Sequence, residues 1–322
     1  MPGLNTADSG AFSFKVSPNG AAFHEALKID RTNGQVELPQ PTILPGLNAA
    51  PSPPPTDKIA LYARNRAGAP WVDVMRPSGR DFPLQPHFGV NRIATWSPSV
   101  TTTITTEGLP VTSVGTVSTP TLAATNLAAS MRRLRLTSTA TVDAAADQRS
   151  AGWACWRGNA AGLRGWTFVT RISLTTQQAT GMGFFVLYGS TAALATTLTL
   201  ATVLNCIGIG FQQGTHANWQ LVANDANDAN DASGAPTLTD MGTPFVLATS
   251  GVMTLFIAAA PNAASVWVGL VNEVTGAVFE QEITADLPGP TQFLSPRLYL
   301  NTGATAAAVA FDCSGLNIET DY

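Results

Sequence analysis

The chain has 322 residues and a net charge of −4, enough for two domains or for one large β domain with accessory segments. Only 12% of its residues are charged, against roughly 25% in ordinary soluble chains, so much of the surface is expected to be Thr, Ser, Asn and Ala. From residue 101 onward there are 8 Arg, no Lys and 14 acidic residues, which gives no electrostatic footprint for nucleic acid or an anionic membrane.

No apolar run approaches the ~20 residues of a membrane span, and the N-terminus lacks the basic-then-apolar pattern of a secretory signal. Cys155, Cys206 and Cys313 are scattered, odd in number and without metal-ligand spacing. They are expected to be buried thiols in a protein assembled in a reducing cytoplasm.

Residues 1–47 read as a small β module. Phe12 to Val16 alternates, Ser17-Pro18-Asn19-Gly20 supplies a turn, and Ala26–Asp30 and Gln35–Leu38 flank a second turn at Arg31-Thr32-Asn33-Gly34. Two such hairpins cannot close a core alone, so trimerisation or docking on another protein is expected. Residues 48–56, with Pro51, Pro53, Pro54 and Pro55, form a semi-rigid polyproline linker. Residues 57–100 read as a connecting β module. A strand begins near Lys58, Trp71–Met75 returns, Arg76–Pro86 shows no periodicity, and a boundary is placed at 87–100.

The distal segment, 101–322, opens on a stretch in which nine of the 22 residues from Thr101 to Leu122 are Thr. That suits an edge strand, an extended segment wound against neighbouring subunits or, against the low charge, a disordered stretch. Leu134–Ser138 alternates. Trp166, Phe168, Ile172 and Leu174 share one strand face, Gly183–Tyr188 is a buried strand, and Ser190–Thr197 is a short helix or a loop crossing a sheet. Cys206–Phe211, Trp219–Val222 and Val252–Ile257 continue the strand series. Val266–Val271 and Ala277–Ile283 form a hairpin around Asn272–Gly276, with one strand apolar on both faces and one with a wet face. Pro296–Leu300, the run to Cys313, and Leu316–Tyr322 build the C-terminus into the fold. The fold class is all-β: small N-terminal modules and a C-terminal antiparallel β-sandwich of jelly-roll or lectin-like type.

Little in the sequence suggests catalysis. Asn224 to Asp231 is a three-residue repeat rich in oxygen, but it lacks the alternate-residue ligands, Gly and terminal Glu of an EF-hand loop, and reads as a hairpin tip. Glu280 and Glu282 sit about 7 Å apart on a strand, within range of an inverting glycosidase pair, yet they read as the wet face of a hairpin. His24, His87 and His216 do not cluster, and neither a nucleophile elbow nor a phosphate-binding loop is present. No cofactor or metal is expected. Trp153 and Trp156, beside Arg157, stand in an irregular stretch, and flat aromatic faces with adjacent polar groups suit sugars. The candidate receptor-binding set is Trp153, Trp156, Arg157, His216, Asp225 and Asp228.

The run from Arg297 to Ala310 (Arg-Leu-Tyr-Leu-Asn-Thr-Gly-Ala-Thr-Ala-Ala-Ala-Val-Ala), with the terminal Ile-Glu-Thr-Asp-Tyr, the preceding hairpin and the stretch from Asn205 to Asp225, resembles the C-terminal lectin-like β-sandwich of bacteriophage fibre proteins. The resemblance spans most of residues 130–322. It implies a virion fibre or tail protein, a homotrimer held to another virion protein through its N-terminal part, with the distal domain displayed towards host-surface polysaccharide. It names no catalytic residue. The alternatives are a purely structural head, neck or collar fibre and, more remotely, a polysaccharide-degrading tailspike, whose β-helical rung repeat is absent here.

Overall fold

The computed structural model describes residues 12–16, 24–29, 36–37, 44–66, 69–77, 79, 81–83, 92–98, 111–152, 154–160, 165–176, 180–225 and 236–320. The chain divides into two compact units, Met1–Gly46 and Leu47–Tyr322. In the first, β1 (Phe12–Val16), β2 (His24–Ile29) and β3 (Val36–Glu37) form a three-stranded antiparallel sheet. The turns expected at residues 17–20 and 31–34 lie outside the described residues.

A small sheet takes one strand from before the prolines and three from after them, in the order β4 (Gly46–Leu47), β5 (Ala60–Arg66), β6 (Ala69–Met75) and β7 (Asp81–Pro83). β5 and β6 follow from the two apolar runs that flank Ala67-Gly68. β7 arises in the aperiodic stretch, where three residues suffice to pair with Asp73–Met75.

The remaining strands make a two-sheet antiparallel sandwich. Its first sheet runs β10 (Thr116–Ser118), β11 (Leu134–Thr137), β22 (Ala310–Thr320), β13 (Trp166–Thr176), β18 (Val252–Ala259), β19 (Val266–Asn272) and β20 (Val278–Ile283). β8 (Arg92–Trp96) also pairs with β22. Thus β22 holds β13 along one side and shares its other side between β11 and β8. The second sheet runs β17 (Thr237–Asp240), β16 (Gln220–Asn224), β15 (Cys206–Gln212), β14 (Met182–Tyr188), β21 (Ser295–Asn301), β12 (Ala145–Ser150) and β9 (Val111–Val114).

Part of the Thr-rich stretch supplies an edge to each sheet. β9 closes the second sheet and β10 the first, with Gly115 at the crossing. Its φ is +98°, and a Cβ there would lie 2.6 Å from the Thr137 carbonyl oxygen, so only glycine turns the chain this tightly.

Trp166, Phe168, Ile172 and Leu174 point together into the core between the sheets, where they meet Phe185, Trp219, Leu255, Val268, Leu298 and Phe311. Each such side chain contributes about 1.5–3 kcal/mol on burial. The hairpin β19–β20 has the expected asymmetry: every residue of β19 is buried, whereas β20 is an edge strand with a wet side. All three cysteines are buried and unbridged, and burial raises Cys206 to about 12 and Cys313 to about 11, so neither is an available thiolate. Among the described residues no helix is long and apolar enough to cross a membrane.

The first sheet is apolar on its outer side too. Phe256, Ala258 and Trp267 meet Trp71 of β6 there. The Trp71 and Phe256 rings pack edge-on at 6.2 Å, Phe256 and Trp267 at 5.1 Å, and the Arg66 guanidinium lies 4.7 Å over the Trp267 ring. Gly269 makes room for that indole, since a Cβ on it would come within 2.6 Å of the ring. Around this patch Arg66 pairs with Asp73 at 2.6 Å, Arg64 pairs with Asp81 and Glu280, and the Tyr62 hydroxyl donates to Asp81.

One outcome follows from this docking. A chain beginning at residue 101 loses β8, uncovers Phe256 and Trp267, melts below the full chain and shows increased binding of a hydrophobic dye. A melting temperature equal to that of the full chain would contradict the packing. Burial also pushes the Asp73 carboxyl up to about 6, against the opposing pull of Arg66. The folded chain therefore holds this proton more tightly than the unfolded chain does. The stability it contributes is present at low pH and is lost as pH rises from about 4 to about 6. Asp73→Asn should flatten that slope in urea unfolding curves.

Candidate functional site

The broad outer face of the second sheet is a natural place for a ligand, but the chain covers it. Met182, Phe184, Val186 and Tyr188 of β14, Cys206, Val222 and Tyr299 form an apolar layer closed by Leu194, Leu198, Leu200 and Val203. Residues 189–205 therefore cross the sheet; of the helix or loop expected at Ser190–Thr197 the structure shows the loop, followed by a 3-10 turn at Leu200–Thr202. Alternate residues of β21 hold this strap by its carbonyls. Arg297 Nη1 donates to Ala192 O at 2.7 Å, the Tyr299 hydroxyl to Ala195 O at 3.2 Å, and Asn301 Nδ2 to Thr196 O at 2.9 Å. Asn224 Nδ2 adds a bond to Val203 O at 3.0 Å. Arg297 is fixed in turn by Asp147 of β12 through bonds of 3.0 and 2.6 Å, deep in the structure.

With the small sheet on the other broad face, open surface is left at the two ends of the sandwich. At the end where β18 finishes and β21 begins, Trp156 packs on Phe293 with ring centroids 5.4 Å apart. Trp156 is half-buried and Phe293 is 47% exposed. The rings sit where residues 154–158 run beside 290–294, joined by Leu294 N to Cys155 O at 2.8 Å and Gly158 N to Pro290 O at 3.0 Å.

Polar groups stand next to this pair. The side chains of Gln292 and Asn205 both crowd Gly189, whose hypothetical Cβ would lie 3.0 Å from Gln292 Nε2 and 2.6 Å from Asn205 Cβ. Asn205 adopts φ 50°, a left-handed conformation that Asn tolerates. Its Oδ1 is buried without a hydrogen-bond partner. Its N–H donates to Asp225 O at 3.0 Å, which places Asp225 at the same end. Beyond it, the Thr237 hydroxyl donates to Asp286.

The structure thus gathers Trp156 and Asp225 at one end. Arg157 is there as well but faces inward: Nε and Nη2 donate to Pro288 O and Nη1 to Ala263 O, and burial pushes its pKa down. It braces two loops and does not present a charge to a ligand.

His216 is at the opposite end. It follows β15, and its neighbour Ala217 accepts from Leu247 N just before β18, so the length of β18, about 25 Å, separates it from Trp156. There Nδ1 accepts from Gln212 N at 3.0 Å, and burial lowers its pKa despite Asp240; it serves as a neutral acceptor in a turn. Trp153 and Asp228 lie outside the described residues, as does most of the Asn-Asp repeat.

Sequence reasoning missed Phe293, Gln292, Asn205 and Gly189. Their one signal was an Asn standing immediately before an apolar strand. Of the paired carboxylates, Glu280 is engaged by Arg64 and Glu282 accepts from the Ser265 hydroxyl. Among the described residues no three His, Cys, Asp or Glu side chains are placed to hold a metal ion.

Breaking the anchor of the strap tests this geometry. Asp147→Ala leaves the Arg297 guanidinium buried without its counter-ion and should cost about 3–5 kcal/mol in urea unfolding. Asp147→Ala combined with Arg297→Met should recover part of that loss.

No family model and no curated protein matches the chain. Among solved structures it is similar to peanut lectin with a nine-residue peptide, at 10% identity and a TM-score of 0.44, over 65% of this chain and 90% of that one. It is also similar to a protein of unknown function from Shewanella oneidensis MR-1, at 10% identity and a TM-score of 0.45, over 70% and 85% of the two chains. A third is arcelin-5, a lectin-like defence protein of Phaseolus vulgaris, at 8% identity and a TM-score of 0.45, over 72% and 100%.

Proposed function

We propose that this chain is a non-catalytic recognition protein whose sandwich binds saccharide at the Trp156–Phe293 end. The observation that carries the reading is the stacked pair of half-buried Trp156 and exposed Phe293, with the Gln292 side chain beside it. The apolar C–H face of a sugar ring stacks on an aromatic ring, while its hydroxyls need polar partners alongside. The same end carries Asp225, where β16 finishes, beside residues 154–158 and 290–294.

We further propose that the protein works as a bacteriophage fibre or tail component in the virion, trimeric and joined to another virion protein through residues 1–47. The support is the resemblance carried by Arg297–Ala310 and the C-terminal strand, together with an N-terminal unit of three short strands. Three weak sites on one particle would add up through avidity. A purely structural fibre is the second reading, favoured by the self-covered sheet faces, which leave less open surface than a binding protein commonly offers. The tailspike alternative requires a β-helix, and the architecture is a two-sheet sandwich.

The test is binding of the full chain to extracted host-surface polysaccharide, with light scattering alongside. The expected result is saturable binding by a species of three chain masses and no shortening of the polysaccharide. Phe293→Ala and Trp156→Ala should each weaken it by roughly 0.5–1.5 kcal/mol, two- to tenfold, with the melting temperature of Phe293→Ala unchanged. A folded trimer that binds no polysaccharide would leave the structural fibre.

A further inference from the structure

The other end of the sandwich carries a second concave site, built around charge. A cleft of about 240 Å³ is lined by Asn126, Ala129, Arg133, Arg135, Thr249, Ser250 and Asp312, among others. Its floor is an ion triad. Asp312 of β22 accepts from Arg133 Nε at 2.8 Å and from Arg135 Nε and Nη2 at 2.8 and 3.0 Å. Arg133 Nη1 donates to Ala129 O and Met131 O. These bonds leave Nη2 of Arg133 and Nη1 of Arg135 unspent.

Two guanidiniums against one carboxylate leave one positive charge uncompensated. The Arg133 side chain is only 6% exposed and that of Asp312 1%, whereas that of Arg135 is 32% exposed, so the surplus charge reaches the open side of the cleft through Arg135. A strut between β11 and β22 needs only one bidentate arginine; the second makes the cleft cationic in a chain of net charge −4. Around the two free N–H edges stand further polar groups. Asn126 spends Oδ1 capping the short helix α1 (Leu127–Ser130), which leaves its Nδ2, and the hydroxyls of Thr249 and Ser250 also line the cleft.

We infer that this cleft binds a single acidic sugar unit through its carboxylate. A planar carboxylate matches the guanidinium edges and supplies the missing negative charge. The Asn126 amide and the Thr249 and Ser250 hydroxyls suit ring hydroxyls beside it. The volume falls below the roughly 300–1,000 Å³ of pockets for drug-sized ligands and suits one six-membered ring. The site lies at the opposite end of β18 from Trp156 and does not depend on the aromatic end being a binding site.

Ligand-observed NMR on the full chain tests it, with glucuronate as probe and glucose and inorganic sulfate as controls. The expected result is saturable glucuronate binding that glucose does not reproduce and that weakens as salt is raised. Arg135→Gln, at the arginine that reaches solvent (32% exposed), and Ala129→Leu, which fills the cleft, should each weaken binding tenfold or more while the protein stays folded. Phe293→Ala should leave it unchanged, which separates this site from the aromatic end. Absence of glucuronate binding, indifference to both cleft variants, or sulfate binding as tightly as glucuronate would overturn the assignment.

Discussion

Strands that are apolar on both faces impose the main constraint on this structure. In a two-sheet sandwich one face of each strand packs into the core and the other would meet water. Here β14, β18, β19 and β21 are buried along their whole lengths, so each sheet needs a cover of its own. The second sheet takes the strap at 189–205, held by the row Arg297, Tyr299, Asn301. The first takes the sheet β4–β7, seated by Trp71 and Arg66 on Phe256 and Trp267. The result is four layers deep where a bare sandwich would have two, and the surface left open lies at the ends rather than on the faces.

What was legible in the sequence follows the same division. Strands that bury apolar side chains announced themselves: β13, β14, β15, β19 and β21 fall within a residue or two of the runs that suggested them. β12 did not, because Ala-Ala-Asp-Gln-Arg-Ser is mostly polar. Its burial rests on the ion pair between Asp147 and Arg297, 150 residues apart, which no local pattern displays. β8 was hidden for another reason. Its five residues are ordinary, and their place in the fold comes from a gap on one side of β22 that β11 leaves unfilled.

The candidate site was legible by residue type more than by position. Expecting aromatic residues in the irregular stretch after Gly152 led to Trp156. Its partner Phe293 follows a Pro-Gly-Pro break with no periodicity and becomes a neighbour only through the bridge between Cys155 and Leu294. Arg157 and His216 are polar residues of the kind a ligand would want, yet both are used up on the backbone. The arginines around Asp312 show the converse. Arg133 and Arg135 alternate with Leu134 and Leu136, an unexceptional half-buried strand, until Asp312 from the far end of the chain draws both onto one carboxylate.

The position of β22 has a consequence for how the protein is made. Residues 310–320 lie in the interior of the first sheet, bonded to β13 on one side and to β8 and β11 on the other. A nascent chain that has reached residue 309 lacks the strand joining these elements, and more than two hundred residues separate β8 from its partner. Pairings this distant in sequence close slowly, so the first sheet is completed only after synthesis has passed residue 320. A ribosome that stops early releases a chain with an open sheet and exposed edges, a natural substrate for chaperones and proteases.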